Sequence, residues 1–329
     1  MKHAARAMVL LLAVLFCILP VRAAESENTE SYFTEWADGL DQIMAEYMEA
    51  HGLSAQNFAM GYLYTGTGEY WYFNQDKVMT AGSIYKVPLN MRITEMVASG
   101  ERSWDDHVYG MPLAEAQRMS ITYSKNEVSY ALQSYCAGFN GFYYPAYRAE
   151  LLKYSGWTES QIPENYYTTN TFTASFMLTT LSILYQDAAL YSNIIGYMKD
   201  AYPGRYFRLY EGDYTIAHKY GAFGGAVNDI AIVYTPTPFL LVVMTQYVEN
   251  AEQVLGELCR LMTDYTLSLD AKYEAERQAD IAVAAALAQS LAAEEAEASR
   301  QALLIEQAEI RLRELSDSFA LSAMQLCLP

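Results

Sequence analysis

A serine stands three residues ahead of a lysine in Ala81-Gly82-Ser83-Ile84-Tyr85-Lys86-Val87-Pro88. If a helix begins at or just before Ser83, residues i and i+3 share a face, and the hydroxyl lies beside the amine. The aligned peptide dipoles at a helix start favour negative charge developing nearby. A serine is a weak nucleophile until a base removes its proton, and a lysine drawn partly out of water has a lowered pKa and can serve as that base. By itself the pattern is weak, and a lone match is more often an exposed helix than a catalyst. Two further patterns follow, Ser124-x-Asn126 and His218-Lys219-Tyr220-Gly221. In isolation the first is a cap for a helix beginning at Glu127, and the second a charge on a strand edge.

The elements that must carry these residues are legible in the hydrophobic periodicity. Residues 32–51 place Trp36, Leu40, Ile43, Met44 and Met48 at helical spacing, with Gly52 as a C-terminal cap. Residues 58–64 and 69–73 read as strands joined by Gly66-Thr67-Gly68. The Ser83 helix extends to about Ser99-Gly100. Helices are expected over residues 112–120, from Glu127, over 149–154 and over 173–185, with an irregular polar segment at 156–170. Residues 214–219, 226–234 and 239–247 are β-branched and aromatic runs, read as antiparallel strands, and 251–267 as a closing helix. Helices in the middle with strands at both ends mean α+β, one sheet completed from both termini. Residues 269–329 form a separate helical tail; over 271–329 there is no glycine, and Ile305, Ala308, Leu312, Leu315 and Phe319 keep a 3–4 spacing. That pattern admits either a coiled coil or an ordinary charged helix.

Bulk properties narrow the function. The net charge of −18 argues against nucleic acid, which requires a basic surface. With 52% hydrophobic and 18% charged residues, the 329-residue chain can bury a large core. Lys2, His3 and Arg6 precede an apolar run over residues 8–19, followed by Pro20-Val21-Arg22-Ala23-Ala24. Residues 1–24 therefore read as a secretory signal, and export to the cell envelope or beyond is expected. Cys136, Cys259 and Cys327 remain after the leader, with no C-x-x-C spacing and so no zinc site. A Cys136–Cys259 bridge and two buried thiols stand as alternatives.

Taken in order behind a leader, Ser83-x-x-Lys86, Ser124-x-Asn126 and His218-Lys219-Tyr220-Gly221 resemble the three motifs of the penicillin-recognising serine enzymes. These are the class A β-lactamases and the D,D-peptidases, in which Ser-x-x-Lys, Ser-x-Asn and Lys-Thr/Ser-Gly meet around one cleft. The likeness spans residues 30–268. It includes Thr171-Phe172-Thr173-Ala174 and Met177-Leu178-Thr179-Thr180-Leu181, which look like the helix after that family's omega loop. The resemblance implies an antiparallel sheet with an all-helical subdomain, here over residues 25–268. It also implies roles: Ser83 as nucleophile, Lys86 as its base, and the backbone N–H groups of Ser83 and Ala222 as an oxyanion hole. Ser124 would pass a proton to the leaving nitrogen and Asn126 hold the substrate's amide. Lys219 would add positive charge, with Tyr220 and Gly221 along the substrate edge.

Three departures stand out. Lys125 replaces an acidic residue of the second motif, and Tyr220 a small hydroxyl residue that helps bind a β-lactam carboxylate. The loop Trp157-Thr158-Glu159-Ser160-Gln161-Ile162-Pro163-Glu164-Asn165 lacks the family's Glu-x-x-x-Asn, whose carboxylate activates the deacylating water. Glu159 is the stand-in and Glu164 the second choice. The expectation is thus a secreted serine hydrolase, opening a β-lactam or related amide through an acyl-enzyme, without cofactor or metal. Two alternatives stay open: a D,D-carboxypeptidase or penicillin-binding protein acting on cell-wall peptides, and an inactive envelope scaffold. Self-association through the tail is the remaining expected partnership.

Overall fold

The computed structural model describes residues 33–138 and 142–326; the expected leader lies outside them. Residues 33–138 and 142–270 belong to one compact unit, and residues 271–326 to a second.

The first unit is built on a five-stranded antiparallel sheet, ordered β2-β1-β9-β8-β7. Its strands are β1 (Phe58–Tyr64), β2 (Tyr70–Phe73), β7 (Thr215–Phe223), β8 (Ala226–Tyr234) and β9 (Phe239–Gln246). Strand β9 is the continuous apolar run Phe-Leu-Leu-Val-Val-Met-Thr, buried along its length because helices cover both faces of the sheet. One face packs against α6 (Ala174–Gln186), whose Phe176, Met177, Leu178 and Leu181 are buried. On the other, Tyr62 of β1 meets Thr266 and Tyr265 of the C-terminal helix α8 (Ala251–Leu326), while Tyr47 of α1 (Phe33–Ala50) donates to the Val254 carbonyl.

Between β2 and β7 the chain makes the helical part: α2 (Lys86–Ala98), α3 (Leu113–Ile121), α4 (Asn126–Cys136), α5 (Tyr143–Leu151) and α7 (Ser192–Lys199). Two short pairs punctuate it, β3 (Met79–Thr80) with β6 (Thr171–Phe172) and β4 (His107–Val108) with β5 (Met111–Pro112). The α+β reading of the sequence matches this architecture.

Four local expectations need correction. The helix expected over 149–154 is α5, which starts six residues earlier, because burial of Tyr147 and Leu151 outweighs the modest helix propensity of its tyrosines. Helix α7 was not expected at all. Strand β7 continues past Lys219 to Phe223, so the third motif lies within the strand rather than at its end. The closing helix does not stop at 267 but continues as one 76-residue α8, since nothing after Gly256 interrupts it before Pro329. Cys136 and Cys259 are buried free thiols, which removes the bridge.

Candidate active site

Ser83 sits in a 3-10 turn, Gly82–Tyr85, that runs directly into α2 with Lys86 as its first residue. In a 3-10 turn residues i and i+3 eclipse, which puts Ser83 and Lys86 on one side. The turn is held from three directions. Pairing of β3 with β6 brings in the end of the 156–170 loop, where Ala81 N donates to the Asn170 carbonyl (3.0 Å) and Asn170 Nδ2 to the Gly82 carbonyl (2.7 Å). From β8, the fully buried Asn228 donates to the carbonyls of Thr80 (2.8 Å) and Ala81 (3.0 Å) while its own oxygen receives Thr245 N.

From β7, Gly221 presses against the turn so closely that a methyl there would lie 2.5 Å from both Ala81 O and Ser83 N. A methyl on Gly82, which has φ +59°, would lie 2.8 Å from Ala222 N. Only glycine fits at either place. The same closeness brings the backbone of Ser83 and Ala222 together across the cleft.

Lys86 is completely buried, and its ammonium nitrogen donates to Ser124 O (2.8 Å), Ser124 Oγ (3.1 Å) and Asn126 Oδ1 (2.9 Å). Lys219, also completely buried, reaches Ser124 Oγ (3.1 Å) and the Tyr220 carbonyl (2.8 Å). Ser124 holds a left-handed backbone, φ 54°, which turns its hydroxyl back toward both lysines. The simple cap reading of the second motif therefore fails. Lys125 is the N-cap of α4, no side chain caps that helix, and Ser124 and Asn126 face Lys86 instead. Burial brings Lys86 down to about 7, against a smaller upward pull from Glu127. Burial and the neighbouring Lys86 hold Lys219 well below its ordinary value, with Asp229 pulling the other way. Among the described residues the half-buried Ser83 hydroxyl makes no hydrogen bond of its own, and no cluster of His, Cys, Asp and Glu could hold a metal.

Glu159 is not gathered into this group. It opens a 3-10 turn (Glu159–Gln161) capped by Thr158 and is exposed, as is Glu164. What the loop presents to the Ser83 turn is Asn170, whose Oδ1 is buried without a partner. Four residues before it, at the leading place of the expected Glu-x-x-x-Asn, stands Tyr166. That tyrosine is fully buried, its hydroxyl given to the Arg148 carbonyl (2.9 Å) and its ring facing the Arg148 guanidinium at 3.9 Å. Asn170 and Asn228 were missed in the sequence. A search for x-x-x-Asn without insisting on the leading glutamate finds the first, whereas only the sheet register reveals the second.

A family model described as the β-lactamase enzyme family matches residues 38–137 and 111–266. Among solved structures, the class A β-lactamase of the last common ancestor of Gram-negative bacteria (GNCA4) is 20% identical, covering 69% of this chain and 99% of its own, with a TM-score of 0.59. A β-lactamase from Chitinophaga pinensis DSM 2588 is 19% identical over 69% of this chain and 99% of its own, with a TM-score of 0.58. No curated protein matches the chain.

Proposed function

Because the chain belongs to the β-lactamase enzyme family, whose members are hydrolases, we propose that it is a serine hydrolase working through an acyl-enzyme on Ser83. The observation that carries this reading is the convergence on the Ser124 hydroxyl of two buried lysines, Lys219 and Lys86, the latter one turn after Ser83. Ser83 Oγ attacks the amide carbonyl and a C–O bond forms as Lys86, in its neutral form, takes the serine proton. The oxyanion is received by the N–H groups of Ser83 and Ala222. The C–N bond breaks, Ser124 gives its proton to the leaving nitrogen, and Lys86 returns a proton to Ser124. Water then hydrolyses the ester to release the acid and restore Ser83.

Deacylation is the slow half of the cycle, because the loop beside Ser83 brings Asn170 and Tyr166 but no carboxylate to activate water. That feature also favours a second reading, a D,D-peptidase acting on cell-wall peptides. Export, supported by the leader pattern of residues 1–24, belongs to the proposal.

A fluorophosphonate, which reacts with activated serines, tests the nucleophile. Peptide mapping is expected to find one adduct at Ser83, absent in Ser83→Ala. No adduct in the wild type, or an undiminished one in Ser83→Ala, overturns the reading.

A further inference from the structure

Lys219 has at most one ammonium hydrogen left to offer a substrate. Its ammonium is completely buried, bonded to Ser124 Oγ (3.1 Å) and Tyr220 O (2.8 Å), and it faces the Tyr220 ring at 4.1 Å. That ring is also held by two further tyrosines. Tyr206 stacks on Tyr220 with centroids 4.5 Å apart and an angle of 12°, and Tyr202 meets it edge-on at 4.9 Å. Tyr220 is thus in contact with Lys219 and Tyr206 at once.

This arrangement is clamped in place. Buried His218, next to Lys219 on β7, reaches Ala201 O (2.8 Å) with one ring nitrogen and Asp229 Oδ2 (2.7 Å) with the other. The same carboxylate receives Phe207 N (3.0 Å). Both ends of the 201–207 segment are thereby tied to β7 and β8. Between those ties Tyr202 and Tyr206 adopt φ of 27° and 54°, conformations side-chain-bearing residues keep only when their surroundings impose them. Arg205, paired with Glu252 (2.7 Å), lies over both rings from outside. The other lysine of the site, Lys86, is committed to Ser124 and Asn126, and Lys125 is an exposed, solvated charge.

We propose that Tyr220, held against Lys219 and Tyr206, closes the place where a carboxylate beside the scissile bond would pair with Lys219. The acyl donors of this enzyme are therefore uncharged there: neutral lactams, amides or esters. The inference rests on the Ser83 acyl-enzyme reading and deepens it. It also disfavours the peptidase alternative, since a terminal D,D-peptide carries a carboxylate next to the bond that breaks.

The test compares benzylpenicillin with its methyl ester, which differ at that carboxylate alone, by following acylation of the full chain with intact mass spectrometry. The wild type is expected to react at least about tenfold faster with the ester, and Tyr220→Thr to move the acid-to-ester ratio at least about tenfold toward the acid. Tyr220→Phe, which keeps the ring, is expected to retain the wild-type ratio. If Tyr220→Thr does not fold, Tyr206→Leu, which removes the stacking partner, is expected to shift the ratio in the same direction. A wild type that prefers the acid, or a ratio unmoved by opening the plug, overturns the proposal. So does reaction with neither compound while the fluorophosphonate still marks Ser83. Loss of the fluorophosphonate adduct itself removes the Ser83 reading, and this inference with it.

Discussion

Lys86 is a buried amine with three acceptors around it, and the two facts pull in opposite directions. The acceptors favour the ammonium, whereas burial disfavours charge and brings the group down to about 7. A lysine can take the Ser83 proton only when neutral. The acylation rate is therefore expected to be low in acid, to rise through about pH 7 and to level off above it, as read from rate constants for a fluorophosphonate or a neutral lactam. Lys86→Arg separates charge from basicity, because a guanidinium stays protonated at every working pH. It is expected to reduce acylation by ~10²-fold or more and to abolish the rise near neutrality. A full rate in Lys86→Arg assigns the base elsewhere. Ser124 accepts from both lysines, which leaves its own proton free to point into the cleft.

At the scale of elements, the site depends on how closely β7 approaches the turn before α2. Gly221→Ala puts a methyl 2.5 Å from Ser83 N, against backbone that cannot swing aside. The turn must then retreat, and a displacement of about 1 Å is enough to cost ~10²-fold in rate. The variant is expected to remain folded by circular dichroism while its acylation rate falls. A second element-level device is Arg148 of α5. It is fully buried, stacked on Phe172 at 4.0 Å, and donates to the carbonyls of Tyr166 and Thr171, both at 2.8 Å. Arg148→Met leaves both carbonyls unpaired in the interior. The expected loss is ~3 kcal/mol of unfolding free energy in urea melts, since hydrogen bonds to charged groups contribute about 1.5–3 kcal/mol each. Limited proteolysis is expected to open the 155–170 segment first.

For the molecule as a whole, the question is what α8 does after it leaves the first unit. Up to Asp270, which accepts from Tyr64 and Thr237, the helix is part of the core. Beyond it, Leu287, Leu291, Ile305, Leu312 and Leu315 are about half exposed or more, and all five fall on the a and d positions of one heptad register. Pairing of this stripe with that of a second copy removes it from water. Light scattering is expected to give more than one copy for the full chain and a single copy for a chain ending at Asp270. The shortened protein is expected to acylate Ser83 within about twofold of the full rate, because no residue named in the site lies past 270. A monomeric full chain sinks the pairing and leaves the site untouched.

The motifs, their order and the α+β alternation were readable because they are local: an i, i+3 pair needs one turn, and a buried strand needs one apolar run. Ser83, Lys86, Ser124, Asn126 and the β7 residues were found in this way. What the sequence by itself could not settle was anything decided between distant segments. Whether Ser124 caps a helix or faces two lysines depends on a left-handed backbone and on β7 arriving alongside it. Exposed Glu159 looked like a catalytic carboxylate because glutamate was sought, whereas the pairing of β3 with β6 brings Asn170 to the turn instead. The plug over Lys219 joins Tyr202, Tyr206 and Tyr220 through a His218–Asp229 clamp that no spacing rule connects. Tertiary structure decided these points because burial and backbone approach, which set a lysine's charge and a serine's surroundings, are properties of packing between segments far apart in the chain.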